Sequence, residues 1–163
     1  MARLLRTSLS SLVFAFVATA ATGGDEYSRR VWRVQDGLPQ NRIQAISHTP
    51  EGYLWTGTYG GLVRFDGARF VVFDRSSTPA MRDDSILPLC PARDGSLWIG
   101  TEGGGLLHYS KGTFEAFGAK EGLTNGFVRG IYEDRKGTLW VGTDRGFFRR
   151  EAGRLVRLDG RPD

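Results

Sequence analysis

Two histidines and one cysteine are the side chains that could form a metal site or a nucleophilic centre in this chain. His48 and His108 are far apart in sequence, and neither has a cysteine or a second histidine close to it. A zinc site needs several such ligands together, and a catalytic triad needs a nucleophile, a base and an acid in one place. We therefore expect no metal site, no cofactor and no catalytic residues, and we interpret Cys90 as a small buried thiol.

Carboxylates also cluster, but at positions typical of tight turns. Glu51 and Asp94 each precede a glycine, and Glu133 and Asp134 lie just before Gly137. Acidic residues at turns are usually solvated or accept hydrogen bonds from the turn backbone. We interpret these carboxylates as parts of turns and not as an acid–base pair.

A different set of polar and aromatic residues is better suited to binding a ligand. These residues vary, whereas the apolar segments around them recur, as expected of variable loops on a rigid scaffold. An aromatic ring, amides and carboxylates at one site would suit a polyhydroxylated molecule, such as a carbohydrate-derived or other small extracellular ligand. The candidate ligand-binding residues are Asn41, Arg42, Tyr59, Asp84, Glu102, Asn125, Asp144 and Arg145.

A repeat positions these candidates. The segments EGYLWTGTYGGLVRF, DGSLWIGTEGGGLLHY and KGTLWVGTDRGFFRR place Trp55, Trp98 and Trp140 at spacings of 43 and 42 residues. Upstream, DGLPQNRIQAI aligns without a gap with EGLTNGFVRGI. A period in the low forties, with short strands and glycine-rich turns, is typical of a β-propeller with one four-stranded blade per repeat.

Each period divides into four short apolar segments, which predicts an all-β chain with blades at about 41–74, 84–118 and 126–159. The candidate residues then fall in two kinds of loop. One leads into the first, inner strand, and the other joins the second and third strands. Both kinds open at the same end of a propeller, so we expect the candidates to share one mouth.

The second strand of each blade is apolar on both faces, which requires cover on both sides. The tryptophans point to one face, and we expect the glycines two positions later to leave room beside the indole and to tolerate twist. The repeated structural residues are Trp55, Gly57, Thr58, Trp98, Gly100, Thr101, Trp140, Gly142 and Thr143.

The segment before the first repeat resembles an outer strand. RVWRVQDGLP aligns with FEAFGAKEGLT, so residues 30–36 are predicted to form a strand that completes another blade. Three blades are fewer than a closed propeller contains. We therefore expect a partial ring, which the remaining blades or a second copy would complete.

The first residues are typical of an export signal. A basic segment with Arg3 and Arg6 precedes SLVFAFVATAA, and Ala18–Ala20 fits a cleavage site, so we predict a signal peptide at 1–20 and a flexible start at 21–29. The mature domain, from 30 to 163, would be periplasmic or secreted. The net charge of +4 comes without long same-sign runs, so no nucleic-acid partner is expected.

Residues 30 to about 160 resemble the two-component regulator propeller family. The resemblance rests on the Gly-Leu-Pro or Gly-Leu-Thr entrance, followed by G-x-L-W-x-G-T and G-G-L. It implies a sensory domain of a bacterial receptor, often responding to carbohydrate-derived signals. In such receptors a membrane helix and a kinase, cyclase or DNA-binding output follow. Membrane attachment, phosphorelay and any output activity are therefore expected only from a part C-terminal to this chain.

Three functions stay open at this point. The first is an exported sensory module that acts by binding a ligand and not by catalysis. The second is a periplasmic propeller lyase or hydrolase, which would require a histidine or a carboxylate pair at the mouth. The third is a structural interaction module that forms a ring by self-association.

Overall fold

Twelve strands form three antiparallel sheets in the computed structural model, which describes residues 29–158. The sheets have the strand orders β1-β2-β3-β4, β5-β6-β7-β8 and β9-β10-β11-β12, and we call them blades 1, 2 and 3. This confirms the all-β propeller prediction. The strands are β1 Ile43–His48, β2 Leu54–Thr58, β3 Gly61–Phe65, β4 Phe70–Phe73, β5 Ile86–Pro91, β6 Leu97–Thr101, β7 Leu106–Ser110, β8 Thr113–Phe117, β9 Val128–Glu133, β10 Leu139–Thr143, β11 Gly146–Glu151 and β12 Arg154–Arg157.

The blades pack face to face in a fixed order. We call the side of each sheet that carries the tryptophan its tryptophan face, and the opposite side its leucine face. Trp55 and Leu62 of blade 1 are buried with Leu97, Ile99 and Leu107 of blade 2. The next interface repeats this arrangement, with its core formed by Trp98, Leu106, Phe117, Leu139, Val141, Phe148 and Leu155. The tryptophan faces of blades 1 and 2 therefore lie on the leucine faces of blades 2 and 3.

In blades 1 and 2, the glycine two positions after the tryptophan makes room for inner strands rather than for the indole. A Cβ on Gly57 would lie 2.8 Å from Cγ2 of Ile86, on the first strand of blade 2. A Cβ on Gly100 would lie 2.7 Å from Cγ1 of Val128, on the first strand of blade 3. This corrects the expected role, because the nearest atoms belong to inner strands and not to the indole.

The tryptophan face of blade 3 differs from the other two. A Cβ on Gly142 would have only the carbonyl of Gly130 near it, at 3.9 Å. Tyr132 is 61% exposed and Phe147 is 46% exposed. Within residues 29–158 no strand covers this face, whereas the equivalent faces of blades 1 and 2 are core.

Residues 30–36 do not form the predicted strand. Val34–Asp36 is a 3-10 turn, followed by Gly37 at φ 107°. It matches Ala119–Glu121 and Gly122 at φ 96°, which follow β8 in blade 2. The prediction was wrong because it included this exit turn, and because a strand needs a hydrogen-bonded neighbour, which the described chain does not supply here.

The N-terminal segment nevertheless packs against the leucine face of blade 1. The ring of Trp32 lies 5.1 Å from that of Phe65 and 6.1 Å from that of Phe70. Phe117, its equivalent in the repeat, belongs to the core between blades 2 and 3. Trp32 therefore has the position that an outer-strand residue of a preceding blade would have.

Two of the three tryptophans have a side-chain acceptor in the turn after the first strand. Nε1 of Trp55 donates to Oγ1 of Thr49 at 3.2 Å, and Nε1 of Trp140 donates to Oδ2 of Asp134 at 3.0 Å. The bond from Trp140 is the main cause that lowers the pKa of Asp134 below its usual value. These bonds join the turn to the second strand of the same blade.

Residues 1–20, the predicted signal peptide, lie outside the described residues, as does most of 21–29. Among residues 29–158 no helix is long and apolar enough to cross a membrane.

The glycine contacts predict a difference between two equivalent positions. Gly100→Ala should lower the free energy of unfolding by about 1–3 kcal/mol, because the added methyl overpacks the interface. Gly142→Ala should change it little, because its methyl meets no neighbouring blade. Urea unfolding measures the free energies of both variants, at a protein concentration low enough to keep the chain monomeric. Equal losses would contradict the assigned blade order.

The lowered pKa of Asp134 predicts a pH dependence. The ionised carboxylate is favoured in the folded chain, so its contribution is present above the unfolded pKa of about 3.9 and is lost as the pH falls through the lower folded value. Asp134→Asn keeps an acceptor oxygen without the charge. The melting temperature of this variant should therefore fall less than that of the wild type between pH 5 and pH 2, measured by circular dichroism. Parallel curves would show that the carboxylate is not stabilised by folding.

Candidate functional site

The inner strands β1, β5 and β9 are neighbours, on the side that would line the central channel of a closed ring. Each of them carries an irregularity close to its start, at Gln44 in β1, Leu87–Pro88 in β5 and Arg129 in β9. Bulges of this kind reorient side chains and are frequent beside functional sites. Gln44, Pro88 and Arg129 line a cavity of about 340 Å³ together with neighbouring inner-strand residues.

Arg129 links the predicted mouth residues. Its Nε donates to Oδ1 of Asp144 at 2.6 Å, and its guanidinium lies 4.0 Å from the ring centre of Phe127. The hydrogen bond to Asp144 raises the pKa of Arg129, and the negative charge of Glu102 adds to this effect. One cation therefore faces carboxylates from the equivalent loops of blades 2 and 3.

Tyr59, Glu102 and Asp144 hold equivalent positions because the repeat fixes their loops. The threonine before each of them donates its hydroxyl to a carbonyl at the start of the third strand. The three donors are Thr58 to Gly61 at 2.9 Å, Thr101 to Gly105 at 2.8 Å and Thr143 to Gly146 at 3.0 Å. The scaffold residues thus present a variable side chain at a constant place.

The two kinds of loop also contact each other. The backbone N–H of Glu102 donates to the carbonyl of Ser85 at 3.0 Å, and that of Gly105 donates to Gly126 at 3.0 Å. The backbone N–H of Asp144 donates to Phe127 at 3.3 Å. The bond between Gly105 and Gly126 joins the loops of blades 2 and 3, and the other two bonds join the two kinds of loop within one blade.

Arg42 is the fourth candidate in this group. Its guanidinium lies 5.5 Å from the ring centre of Tyr59, a distance compatible with a cation–π contact. Arg42, Tyr59, Glu102 and Asp144 are all at least partly exposed at the mouth. The rim combines an aromatic ring with charges of both signs.

Other candidates have internal partners. The side-chain oxygen of Asn41 accepts from the N–H of Val34 at 2.9 Å, and that of Asn125 accepts from Phe127 at 2.9 Å. Asp84 accepts from the N–H and the Nε of Arg75 at 2.7 and 3.0 Å. These bonds give Asn41, Asp84 and Asn125 roles in holding the loops.

Arg145 is the last candidate. Its N–H donates to Oγ1 of Thr143 at 3.2 Å, and its carbonyl accepts from the side chain of Arg157. Ligand binding by any of the eight candidates stays a prediction.

Gln44 supplies an unused polar group inside the channel. Its Nε2 is buried and has no hydrogen-bond partner among residues 29–158. A buried amide usually finds a partner, so this unpaired nitrogen beside the cavity is a departure from normal packing. Across the same residues, no group of three or more His, Cys, Asp or Glu side chains could hold a metal ion.

Sequence reasoning missed Arg129 and Gln44. They occupy the same position of the inner strand, where blade 2 has Leu87. A polar residue at this position was a usable signal, but the bulge that directs it into the channel depends on register and not on composition.

The comparisons with known proteins agree with this architecture. A model of the family described as "Two component regulator propeller" matches residues 37–60, 81–103 and 122–145. The three segments cover the entrance and the first two strands of each blade. Each segment also contains one of the three rim residues: Tyr59 in the first, Glu102 in the second and Asp144 in the third.

Curated relatives are more distant. The chain is 26% identical over 139 residues to the photosystem II assembly lipoprotein Ycf48 of Synechococcus sp. strain CC9902. This match covers 83% of the chain and 39% of the relative. The chain therefore spans well under half of the length of this protein.

Solved structures show the same fold. The extracellular domain of the putative hybrid two component system BT3049 from B. thetaiotaomicron matches with a TM-score of 0.61 at 28% identity, covering 73% of this chain and 17% of that one. Virginiamycin B lyase from Staphylococcus aureus matches with a TM-score of 0.56 at 15% identity, covering 74% of this chain and 43% of the lyase. The likeness to the lyase concerns the fold alone.

Proposed function

Because its three repeats belong to the two-component regulator propeller family, we propose that this chain is an exported sensory module that binds a small ligand at the mouth of its channel. The ligand class is a polyhydroxylated, carbohydrate-derived molecule. The chain would act in the periplasm or outside the cell, after removal of residues 1–20. Its part in signalling would be binding, and any phosphorelay would be carried out elsewhere in a receptor.

The observation that carries this proposal is the equivalent placement of three loop residues of different chemistry. Tyr59, Glu102 and Asp144 each follow the threonine that fixes the loop in successive blades, and Asp144 pairs with Arg129. Structural residues recur in all three copies, whereas these do not. Variation at one rim of a constant scaffold is typical of a binding surface.

The chemistry of the rim suits hydroxyl groups. The ring of Tyr59 offers an apolar face, Glu102 accepts hydrogen bonds, and Arg129 and Gln44 donate them. The similarity to BT3049 supports the proposed location outside the cytoplasm, because that structure is an extracellular domain of a putative hybrid two component system.

Binding without catalysis is favoured by the histidines. His48 ends β1 and His108 lies in β7, opposite Trp98, so neither histidine is at the mouth. Two carboxylates, of Glu102 and Asp144, do lie there, but Asp144 is hydrogen-bonded to Arg129 at 2.6 Å. A carboxylate held by this cation is a weak base, which favours binding over acid–base catalysis.

Variants at the rim test the proposal. Saturation-transfer NMR would measure binding of maltoheptaose, cellohexaose and xylohexaose to the full chain. Tyr59→Ala and Glu102→Gln should each lower the affinity for the oligosaccharide that binds by about tenfold, because each removes a direct contact. Glu115→Gln, on the exposed outer strand β8, is the matched control and should leave affinity unchanged. Binding that is equal in all variants, or absent for every sugar, would reject a carbohydrate site at this rim.

A second candidate function is ring formation, and the uncovered tryptophan face of blade 3 favours it. This face has the same tryptophan and glycine as the two faces that are buried by a following blade. The leucine face of blade 1 also keeps an exposed apolar residue, Ile46, at 66% exposure. For the 163-residue chain by itself, we propose that blade 1 of a second copy covers blade 3.

Sedimentation velocity tests this association. The wild-type chain should sediment as a dimer at micromolar concentration. Phe147→Glu and Ile46→Glu should each give monomers, because a buried charge without a partner opposes association. Lys111→Glu, in the turn between β7 and β8, should leave the dimer intact. A wild-type chain that is monomeric, or a dimer unaffected by both apolar substitutions, would exclude this interface.

A further inference from the structure

Blade 2 lacks a hydrogen bond that the other two blades make. Thr49 and Asp134 accept from the indole N–H of their tryptophans, and the equivalent residue in blade 2 is Ala92. The equivalence is structural, because the N–H groups of Thr49, Ala92 and Asp134 donate to Tyr53, Ser96 and Thr138 in the same turn.

The indole N–H of Trp98 therefore has no acceptor. Trp98 is only 4% exposed as a residue, and its Nε1 donates to no acceptor within the described part of the chain. This nitrogen is not among the fully enclosed unpaired atoms of the structure, so it keeps access to the space beside it. The missing partner is a departure from the repeat and not a general property of the fold.

A pocket is present where the acceptor is missing. Ala92, Trp98 and His108 line a cavity of about 330 Å³ between blades 2 and 3. It lies at the turns between first and second strands, which is the end of the blades opposite to the mouth. The volume is in the range of pockets that take small molecules.

The acidic groups of this pocket already have partners. Asp94 accepts from the N–H and the hydroxyl of Ser96 at 2.9 and 2.6 Å, and these bonds lower its pKa. Glu133 accepts from the N–H of Arg93 at 3.2 Å. Burial lowers the pKa of His108, whose Nε2 lies 2.7 Å from Oγ of Ser96, so this ring is neutral at pH 7.

The cations that line this pocket have no carboxylate partners in the described part of the chain. Arg135, Lys136 and Arg150 line the pocket, and none of them pairs with a carboxylate among residues 29–158. The guanidinium of Arg150 lies 5.3 Å from the ring centre of Trp98. A pocket that offers the unpaired N–H of Trp98 together with unpaired cations favours an anionic hydrogen-bond acceptor as its ligand.

We propose that this pocket binds a small hydroxylated carboxylate. Its carboxylate accepts from the indole N–H of Trp98 and pairs with Lys136 and Arg150, while its hydroxyls contact Asp94 and His108. The site is independent of the channel mouth, so it adds a second ligand to the proposed sensory function and does not rest on it.

Isothermal titration calorimetry of the full chain with D-glucuronate and D-glucose tests the proposal, since the two sugars differ in the carboxylate. Glucuronate should bind and glucose should not. Ala92→Asp should abolish binding, because the new carboxylate takes the indole N–H, as Asp134 does in blade 3, and repels the ligand. Ala92→Thr should weaken binding about tenfold by taking the same N–H without a charge.

Charge variants complete the test. Lys136→Gln should lower the affinity for glucuronate several-fold and reduce the salt dependence of binding. Lys120→Gln, outside the pocket, should change neither quantity. All these positions are in turns whose backbone the other blades share, and circular dichroism checks that the variants fold. Equal binding of both sugars, unchanged binding in Ala92→Asp, or no binding of glucuronate at millimolar concentration would each overturn the proposal. Loss of oligosaccharide binding in the Tyr59→Ala variant, with glucuronate binding retained, would separate the two sites.

Discussion

The described part of this protein depends on the burial of a tryptophan face by the leucine face of the following blade. Two such interfaces contain nearly all of the buried apolar side chains of residues 29–158. A sheet that is apolar on both sides is unstable alone, because one side would always face water. The glycine two positions after the tryptophan is what permits the inner strand of the next blade to approach, at 2.8 Å from a hypothetical Cβ in the first interface. Stability is therefore a property of neighbouring pairs of blades.

The same constraint explains the form of the candidate site. Interfaces between blades fix the positions of the second strands, and the threonine after each glycine then fixes the loop that follows. Tyr59, Glu102 and Asp144 inherit these fixed positions while their own side chains contribute nothing to the core. Such loops are free to differ in chemistry, and the bulged inner strands add Gln44 and Arg129 between them. A rigid frame and a variable rim are thus two consequences of one packing rule.

Much of the fold could be predicted from sequence because three copies confirm one another. The strand limits, the turn glycines and the two-sided second strand all follow from periodicity in residue type. The strand at residues 30–36 could not be judged in this way, because it depends on a neighbour that the repeat does not contain. Arg129 escaped prediction for a related reason. Its direction depends on a bulge in the pairing of β9 with β10, and a shift of register leaves no trace in composition.

Departures from the repeat carry the functional information, because each blade serves as a reference for the other two. Thr49 and Asp134 show that the fold provides an acceptor for the tryptophan N–H, so Ala92 cannot be ascribed to an architecture that has no room for one. Likewise, Leu87 shows that the inner strand tolerates an apolar residue where Gln44 and Arg129 are polar. Where one blade provides a hydrogen-bond partner and another blade lacks it, and a cavity lies beside the unpaired group, a partner from outside the chain is indicated. By this criterion the channel mouth and the pocket between blades 2 and 3 are separate candidate sites, since different departures define them at opposite ends of the same sheets.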